Sequence, residues 1–301
     1  MRSFRSAWIV VLLGACLLAS PAVAFNQPSV NLGFTSFLDG GPPAGPGLYL
    51  TEYLQYYTAD KLAGLPISDP EVDVTVSLNQ VIYQSDTEII PGARWGLDVI
   101  LPVVFIDSSP LPETDSGFGD LLVGPYLQWD PIMGAKGPLM LNRIELQTIW
   151  PTGKYDEDQA LNPGSNHFSF NPYWAATVFI GPKVTASWRL HYLWNDKNED
   201  AGPGIRYIKA GQAWHGNFAA ALEVVPKTLR IGINGYFFDQ LTHTEVNGAS
   251  IDDDERVFAV GPGAIWHINM DMHLFLNAYK ESSAENRPEG ERYTLRFVWH
   301  L

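Results

Sequence analysis

Few residues in this sequence have the types and spacing that catalysis requires. His167 and Ser169 lie two residues apart, as the general base and the nucleophile of a hydrolase could. Phe168 and Phe170 alternate with them as in a strand, so the two polar side chains would share one face. An enzyme acting on lipid would need this pair on its apolar face, where the phenylalanines lie instead. We therefore expect no catalytic residues and no enzyme activity.

The acidic residues and histidines offer weak candidates for metal binding. The run Asp252-Asp253-Asp254-Glu255 is rich in oxygen ligands and could bind a divalent cation. A hydrated loop of like charge explains the same run, and we favour that interpretation. The histidines never fall at the i, i+2 or i, i+4 spacing that puts two ligands on one face. We expect no metal, and no nucleotide cofactor, since no glycine-rich phosphate-binding motif is present.

The first 24 residues have the pattern of a secretory signal peptide. Arg2 and Arg5 precede an apolar stretch, residues 7–18, which is shorter than the about 20 residues of a membrane-spanning helix. The small residues of Ala22-Val23-Ala24 predict cleavage before Phe25. We therefore assign residues 1–24 to a signal segment that is absent from the mature chain.

The single cysteine, Cys16, lies inside this signal segment. Leu13-Gly14-Ala15-Cys16 loosely resembles a lipoprotein box, so lipidation of Cys16 is the alternative to cleavage before Phe25. Cleavage would leave no thiol, which excludes thiolate metal sites and cysteine nucleophiles. It would also reduce the 19 basic residues to 17, against 33 acidic ones, a balance that excludes nucleic acid as a partner.

The composition favours a sheet embedded in a membrane over a soluble domain. Charged residues make up 17% of the sequence and aromatic residues 13%, whereas soluble domains contain about 25% charged residues. After the signal segment, no stretch approaches the about 18 consecutive apolar residues of a membrane-spanning helix. These features are typical of strands with one face toward lipid and the other toward water.

Alternation of apolar and polar residues is the dominant pattern along the chain, and its period is that of β-strands. We predict twelve strands, the even number that bacterial outer-membrane barrels have. They lie at 47–59, 71–84, 93–107, 117–130, 139–150, 165–180, 183–195, 205–224, 228–240, 254–267, 271–281 and 289–301. In the first strand the inner face is undecided, because Glu52 shares a face with Leu50 and Leu54 while Tyr49 and Tyr53 take the other.

The connections between these strands alternate in length. Short turns are predicted at Gly181-Pro182, Pro226-Lys227 and Asn269-Met270. The longer connections are 59–70, 107–116, 151–164, 195–204, 241–253 and 281–288. Short periplasmic turns and long extracellular loops are typical of outer-membrane barrels, and a soluble sandwich would not explain the alternation. We predict an all-β, transmembrane, antiparallel up-and-down β-barrel over residues 47–301.

Several short motifs follow one another along the mature chain. They are Gly33-Phe34-Thr35-Ser36-Phe37, Gly40-Gly41-Pro42-Pro43, Gly117-Phe118-Gly119-Asp120, Trp150-Pro151-Thr152-Gly153-Lys154-Tyr155, Asn171-Pro172, His191-Tyr192-Leu193-Trp194-Asn195, Asn234-Gly235-Tyr236 and Gly261-Pro262-Gly263. In order and spacing they resemble the outer-membrane family named for the meta-pathway of phenol degradation. The resemblance implies a barrel that passes hydrophobic or aromatic compounds, and it implies no catalytic residues.

Charges of both signs are expected inside the barrel. Our face assignment puts Val76 toward lipid and Ser77 toward the lumen. On the same assignment the lumen is lined by Asp73, Arg94, Asp98, Arg143, Glu145, Arg189, His191, Arg230 and Arg296. Opposite charges could bridge facing walls and narrow the bore, or only hydrate it. With their flanking residues, the six long connections carry 18 acidic and 5 basic residues, which favours neutral or cationic solutes over anions.

Residues 25–46 precede the first strand and are candidates for a plug in the lumen. A barrel of about twelve strands lies between those filled by side chains and those with an open water channel, so a short segment could close it. Gly40-Gly41-Pro42-Pro43 suits a tight reversal into the bore, which would place Phe34 and Phe37 on the inner wall. An unstructured periplasmic tail is the equal alternative.

From these patterns we expect a monomeric channel in the bacterial outer membrane, for passive uptake of small hydrophobic or aromatic solutes. Its other partners would be outer-membrane lipid and the barrel-assembly machinery, which recognises an apolar-alternating last strand such as the one ending at Leu301. The alternatives are a structural barrel sealed by internal ion pairs and, with less support, an enzyme acting on lipid. The sequence does not identify the solute.

Overall fold

Twelve antiparallel strands follow one another around a closed barrel. The computed structural model describes residues 27–42, 44–64, 67–113, 116–135 and 137–301. The predicted signal segment, residues 1–24, and its alternative at Cys16 lie outside the described residues. Within the described part of the chain, no helix has the length and apolar character needed to cross a membrane.

Several barrel strands are interrupted, and their segments share one label here. The strands are β1 (Gly47–Ala63), β2 (Glu71–Ile90), β3 (Ala93–Ser109), β4 (Gly117–Phe118, Leu121–Trp129 and Ile132–Gly134), β5 (Gly137–Glu145 and Thr148–Trp150), β6 (Ser169–Phe170 and Tyr173–Ile180), β7 (Val184–Asn195), β8 (Ala213–Val225), β9 (Leu229–Gln240), β10 (Arg256–His267), β11 (Met272–Glu285) and β12 (Arg287–His300). A small separate sheet joins two long loops through Ile208–Lys209, Thr244–Val246 and Ala249–Ile251.

The barrel closes between its first and last strands. Tyr49 of β1 pairs with His300 of β12, and the register continues without a shift to Thr58 and Glu291. Closure satisfies backbone hydrogen bonds that an open sheet edge would expose to lipid. A band of exposed apolar side chains, Leu276 among them, covers the outer surface as lipid contact requires. The prediction of a twelve-stranded up-and-down barrel is confirmed.

Several connections are shorter than their sequences suggest, because the strands extend into them. In the 84–93 connection only Pro91-Gly92 remains as a turn, and the 130–139 connection shortens in the same way. Only Asn286 separates β11 from β12. The long loop predicted at 281–288 is therefore wrong, since pairing with β10 and β1 lets both strands continue.

The inner face of β1, which the sequence left undecided, is formed by its tyrosines. Tyr49, Tyr53 and Tyr57 are buried inside the barrel, whereas Leu50 and Leu54 are exposed on its outer surface. The tyrosine rings fill lumen space and their hydroxyl groups find polar partners there, as the Tyr53 hydroxyl does.

The predicted face assignment of β2 is wrong. The four apolar residues of alternating positions 72–78 line a cavity inside the barrel. Asp73 lies on the outer side, where it accepts a hydrogen bond of 3.0 Å from the Tyr56 hydroxyl. Ser77 is also on the outer side and donates to the Glu52 carboxylate at 2.7 Å. Alternation along a strand determines which residues share a face, but it does not determine which face points into the barrel. Here the valines of β2 point inward because this part of the lumen is apolar.

Residues 27–42 and 44–46, which we call the N-terminal segment, pass through the barrel. Gln27 donates a hydrogen bond of 3.0 Å to the carbonyl of Gly211 at the long-loop end. At the opposite end, the Tyr49 hydroxyl donates to the carbonyl of Gly45 at 2.5 Å. The segment therefore runs along the lumen from the loop end to the turn end before it enters β1.

Candidate functional site

The barrel encloses a cavity of about 260 Å³ beside the N-terminal segment. Its apolar wall comes from the inner faces of β2, β3 and β4. The wall residues are Val72, Val74, Val76, Leu78, Ile100, Pro102, Val104 and Leu122. Because these strands are neighbours, with Val76 directly opposite Val104, the wall is continuous. Such a surface binds apolar groups by removing them from water.

The two phenylalanines of the N-terminal segment have different places. Phe34 lines the cavity and meets Tyr53 edge to face, with 5.9 Å between ring centroids. Phe37 is 1% exposed and packs in a core that includes Phe275. It lies over Gly263, where an added Cβ would stand 2.9 Å from the Phe37 ring. Phe34 therefore offers aromatic surface to a solute, whereas Phe37 anchors the segment.

Hydrogen bonds to three strands hold the backbone of the N-terminal segment. The amide of Gly33 donates to Asn217 Oδ1 of β8 at 2.7 Å, and the amide of Gly40 donates to Thr177 Oγ1 of β6 at 2.9 Å. Gln128 of β4 donates to the Gly40 carbonyl at 3.0 Å. An added Cβ on Gly40 would stand 2.4 Å from the Thr177 nitrogen, so the close approach requires glycine. These bonds satisfy backbone groups that the irregular segment leaves unpaired.

A buried ion pair holds the part of the N-terminal segment that lies toward the short-turn end of the barrel. Arg189 of β7 donates to both oxygens of Asp39, from Nε at 2.6 Å and from Nη2 at 2.8 Å. Arg296 of β12 lies 4.0 Å from the same carboxylate. Together with Arg143 of β5, these residues line a second, smaller cavity of about 40 Å³. We call Asp39, Arg143, Arg189 and Arg296 the arginine constriction.

Three further residues of the predicted lumen set lie inside the barrel. Asp98, Glu145 and His191 are at most 3% exposed. Glu145 accepts a hydrogen bond from the Tyr173 hydroxyl. The His191 ring stacks on that of His215, with 4.3 Å between centroids. These side chains pack within the inner polar layer of the wall.

The three other residues of that set line neither cavity, and the assignment of Asp73 to the lumen is wrong. Asp73 is on the outer side, as described above. Arg94 and Arg230 lie at the short-turn rim, where Arg94 pairs with Asp130 and Arg230 lies 3.3 Å from Glu223. Both arginines have the inward parity of their strands, but they lie near the strand ends at the short-turn side and line neither cavity.

The long loops form a mouth above the apolar cavity. A space of about 200 Å³ continues upward between Pro28 of the N-terminal segment and loop residues such as Tyr155 and Leu161. Glu255, which directly precedes β10 at the long-loop end, lines the cavity of about 260 Å³ and lies 3.5 Å from Arg287. Burial raises the pKa of Glu255 to about 7, although the Arg287 charge opposes the shift. The cavity therefore contains, at its long-loop end, a carboxyl group that titrates near neutral pH.

Part of the acidic run in the loop before β10 is gathered around a histidine. Ligand atoms of His243, Asp252 and Asp254 lie within 4.8 Å of one another. A hydrogen bond of 2.9 Å with Asp254 raises the pKa of His243. Exposed acidic side chains commonly gather in this way in hydrated loops, so we assign no metal site to these residues.

His167 and Ser169 bond to different partners and not to each other. The Ser169 hydroxyl donates to Asn195 Oδ1 at 2.8 Å, and His167 Nδ1 lies 2.9 Å from the Ser165 carbonyl oxygen. Both side chains are buried, and His167 lines the space of about 200 Å³ under the long loops. Neither is presented to lipid.

Sequence reasoning missed several residues that line the two cavities: Asp39 and Thr51 in the smaller one, the valines of β2 in the larger one, and Tyr53 in both. A signal was available for Asp39, since it is the only charged residue between positions 27 and 46. A charge in a segment that enters a barrel needs a buried partner, and several arginines were already assigned to the lumen. For the valines no such signal exists within the strand itself.

Comparison with solved structures supports the fold. The crystal structure of a COG4313 outer membrane channel from Pseudomonas putida F1 superposes with a TM-score of 0.74 at 20% identity, over 91% of this chain and 100% of that chain. The NanC porin gives a TM-score of 0.46 at 8% identity over 84% and 99%. The translocator domain of the autotransporter NalP from Neisseria meningitidis gives 0.44 at 11% over 85% and 89%. No curated protein matches the chain.

The first of these similarities shows the fold of the chain. The closed barrel with its apolar outer band places the chain in the bacterial outer membrane. Residues 55–297, which include most of the barrel, match the family described as the MetA-pathway of phenol degradation. The chain therefore belongs to the MetA-pathway of phenol degradation family.

Proposed function

We propose that this barrel is a passive channel for small hydrophobic or aromatic solutes. The observation that carries the proposal is the cavity of about 260 Å³, with the apolar wall of β2 to β4 on one side and Phe34 on the other. An engineered apolar cavity of roughly 150 Å³ holds benzene, so this cavity has room for a substituted ring. Burial of that ring is favourable by about 25 cal/mol for each Å² of apolar surface removed from water.

The solute reaches this cavity through the mouth. The upper space and the cavity share Val74, Val76 and Val104 in their walls, so they are continuous. Below the cavity, the N-terminal segment and the arginine constriction leave only about 40 Å³. Passage toward the periplasm then requires the segment to shift, which makes it the element that limits flow.

A second candidate function is a structural barrel that conducts nothing. The observation that favours it is the firm attachment of the N-terminal segment through the Asp39–Arg189 pair. Conductance of the purified barrel in planar bilayers separates the two candidates, because a sealed barrel gives no current with or without an aromatic solute.

The channel function is tested by filling the cavity. Val76→Trp places an indole in the proposed passage, and Val103→Trp places the same group on the lipid-facing side of the neighbouring strand, beside Ser77. Uptake of a radiolabelled panel of aromatic compounds is measured in cells with the wild-type gene, with each variant and without the gene. We expect Val76→Trp to reduce uptake to the level of cells without the gene and Val103→Trp to retain it. Equal uptake with and without the gene would contradict the function.

A further inference from the structure

The arginine constriction contains more hydrogen-bond donors than acceptors. Arg296 Nε and Nη1 are buried and have no hydrogen-bond partner among the described residues. Arg143 uses its Nε for Gln128 at 3.0 Å, and it has no carboxylate within 4.0 Å in the described part of the chain. Buried donors without acceptors are costly, so they mark a place where an acceptor is missing.

A hydroxyl group adds to this set of donors. Thr51 lines the same small cavity as the three arginines. Its side chain is 4% exposed, and its Oγ1 has no partner among the described residues. Three guanidinium groups and one hydroxyl therefore surround about 40 Å³ of space, with Asp39 as the only carboxylate in the lining.

The nearby carboxylates do not supply the missing acceptor. Asp98 accepts two hydrogen bonds from Gln80 Nε2, at 2.9 and 2.8 Å, and Glu145 is bonded to Tyr173. Neither carboxylate lines the small cavity. Asp39 directs both of its oxygens to Arg189. An anion in the cavity would face Arg143 and Arg296 directly.

The small cavity adjoins the apolar one. The two cavities share three lining residues, Tyr53, Gln80 and Arg189, which therefore lie between the apolar cavity and the constriction. The space of about 40 Å³ is more than the 10–15 Å³ that about one water molecule needs, which suits a carboxylate but not a ring. The cavity of about 260 Å³ suits the ring.

We propose that the arginine constriction binds the carboxylate of a small aromatic acid whose ring occupies the apolar cavity. This inference rests on the proposed channel function and names its substrate class. Arginine matches a carboxylate in geometry, and charge-assisted hydrogen bonds are the strong ones. The acidic loops slow the approach of anions to the mouth, so selection for the acid takes place inside the barrel.

The test compares benzoate with benzamide, which has the same ring and no charge. Binding to the purified, untagged mature barrel in detergent is measured by isothermal titration. We expect benzoate to bind about tenfold or more tightly than benzamide, as charged hydrogen bonds of ordinary strength give. Arg296→Gln should lose that advantage and keep the affinity for benzamide, whereas Arg230→Gln at the rim should change neither.

Two checks keep the result interpretable. The heat-dependent gel mobility of each variant reports whether it folds. If Arg296→Gln does not fold, Thr51→Val serves as the second variant, because the substitution is nearly isosteric. We expect it to weaken the binding of benzoate and to leave the binding of benzamide unchanged. Equal affinities for benzoate and benzamide in the wild-type barrel would overturn the carboxylate site and leave the channel function standing. Absence of binding by both compounds would contradict the channel function as well.

Discussion

Val76→Arg and Leu276→Arg place the same charge on opposite faces of the barrel wall. Val76 lines the cavity, where an arginine can reach water and the polar side of the lumen. Leu276 is 50% exposed on the outer surface, where an arginine near the bilayer midplane costs about 2–4 kcal/mol. That cost corresponds to roughly 30- to 1,000-fold in the folding equilibrium. We expect Val76→Arg to insert normally and Leu276→Arg to be destabilised by this amount.

Urea-induced unfolding in lipid vesicles, followed by tryptophan fluorescence, gives the free energy of unfolding for both variants. Planar-bilayer recordings add a second measurement, because Val76→Arg should lower cation conductance by adding a positive charge to the passage. The reasoning is refuted if Val76→Arg loses about as much stability as Leu276→Arg and gives no altered current. In that case β2 would face the way its sequence alone suggested, with its valines toward lipid.

Asp39→Asn should destabilise the barrel by about 3–5 kcal/mol, since it leaves the buried charge of Arg189 without a compensating negative charge; an unfolding free energy within 1 kcal/mol of wild type, by the same urea titration, would contradict this. Deletion of residues 26–44 with the cleavage site retained should leave a barrel that inserts and conducts more in planar bilayers, and unchanged conductance would mean that the N-terminal segment does not limit flow. Glu255, with a pKa of about 7, should ionise between pH 6 and 8 and raise cation preference at the higher pH; a reversal-potential series in which wild type and Glu255→Gln shift equally would exclude this group. Because its pKa is raised on folding, ionised Glu255 opposes folding above pH 7, and the barrel gains stability as pH falls from 7 toward the unfolded value.

The sequence by itself determined the architecture of this protein. A period of two residues is a local property of the strand, so the strands and the groups of residues that share a face could be identified without a structure. The sequence also identified most outer faces correctly, including the alternating apolar residues of β12, because long aromatic and aliphatic side chains suit lipid. The alternation of short and long connections, together with an even number of strands, then predicted the closed barrel.

The tertiary structure alone decided which face of β2 is inner and where the N-terminal segment lies. Val76 and Ser77 exchange roles because the content of the lumen, which other parts of the chain create, determines whether valine or serine is stable inside. The arginine constriction depends on closure in the same way. Thr51, Arg143 and Arg296 are far apart in sequence, and they surround one small space only because the barrel closes and the N-terminal segment brings Asp39 between them.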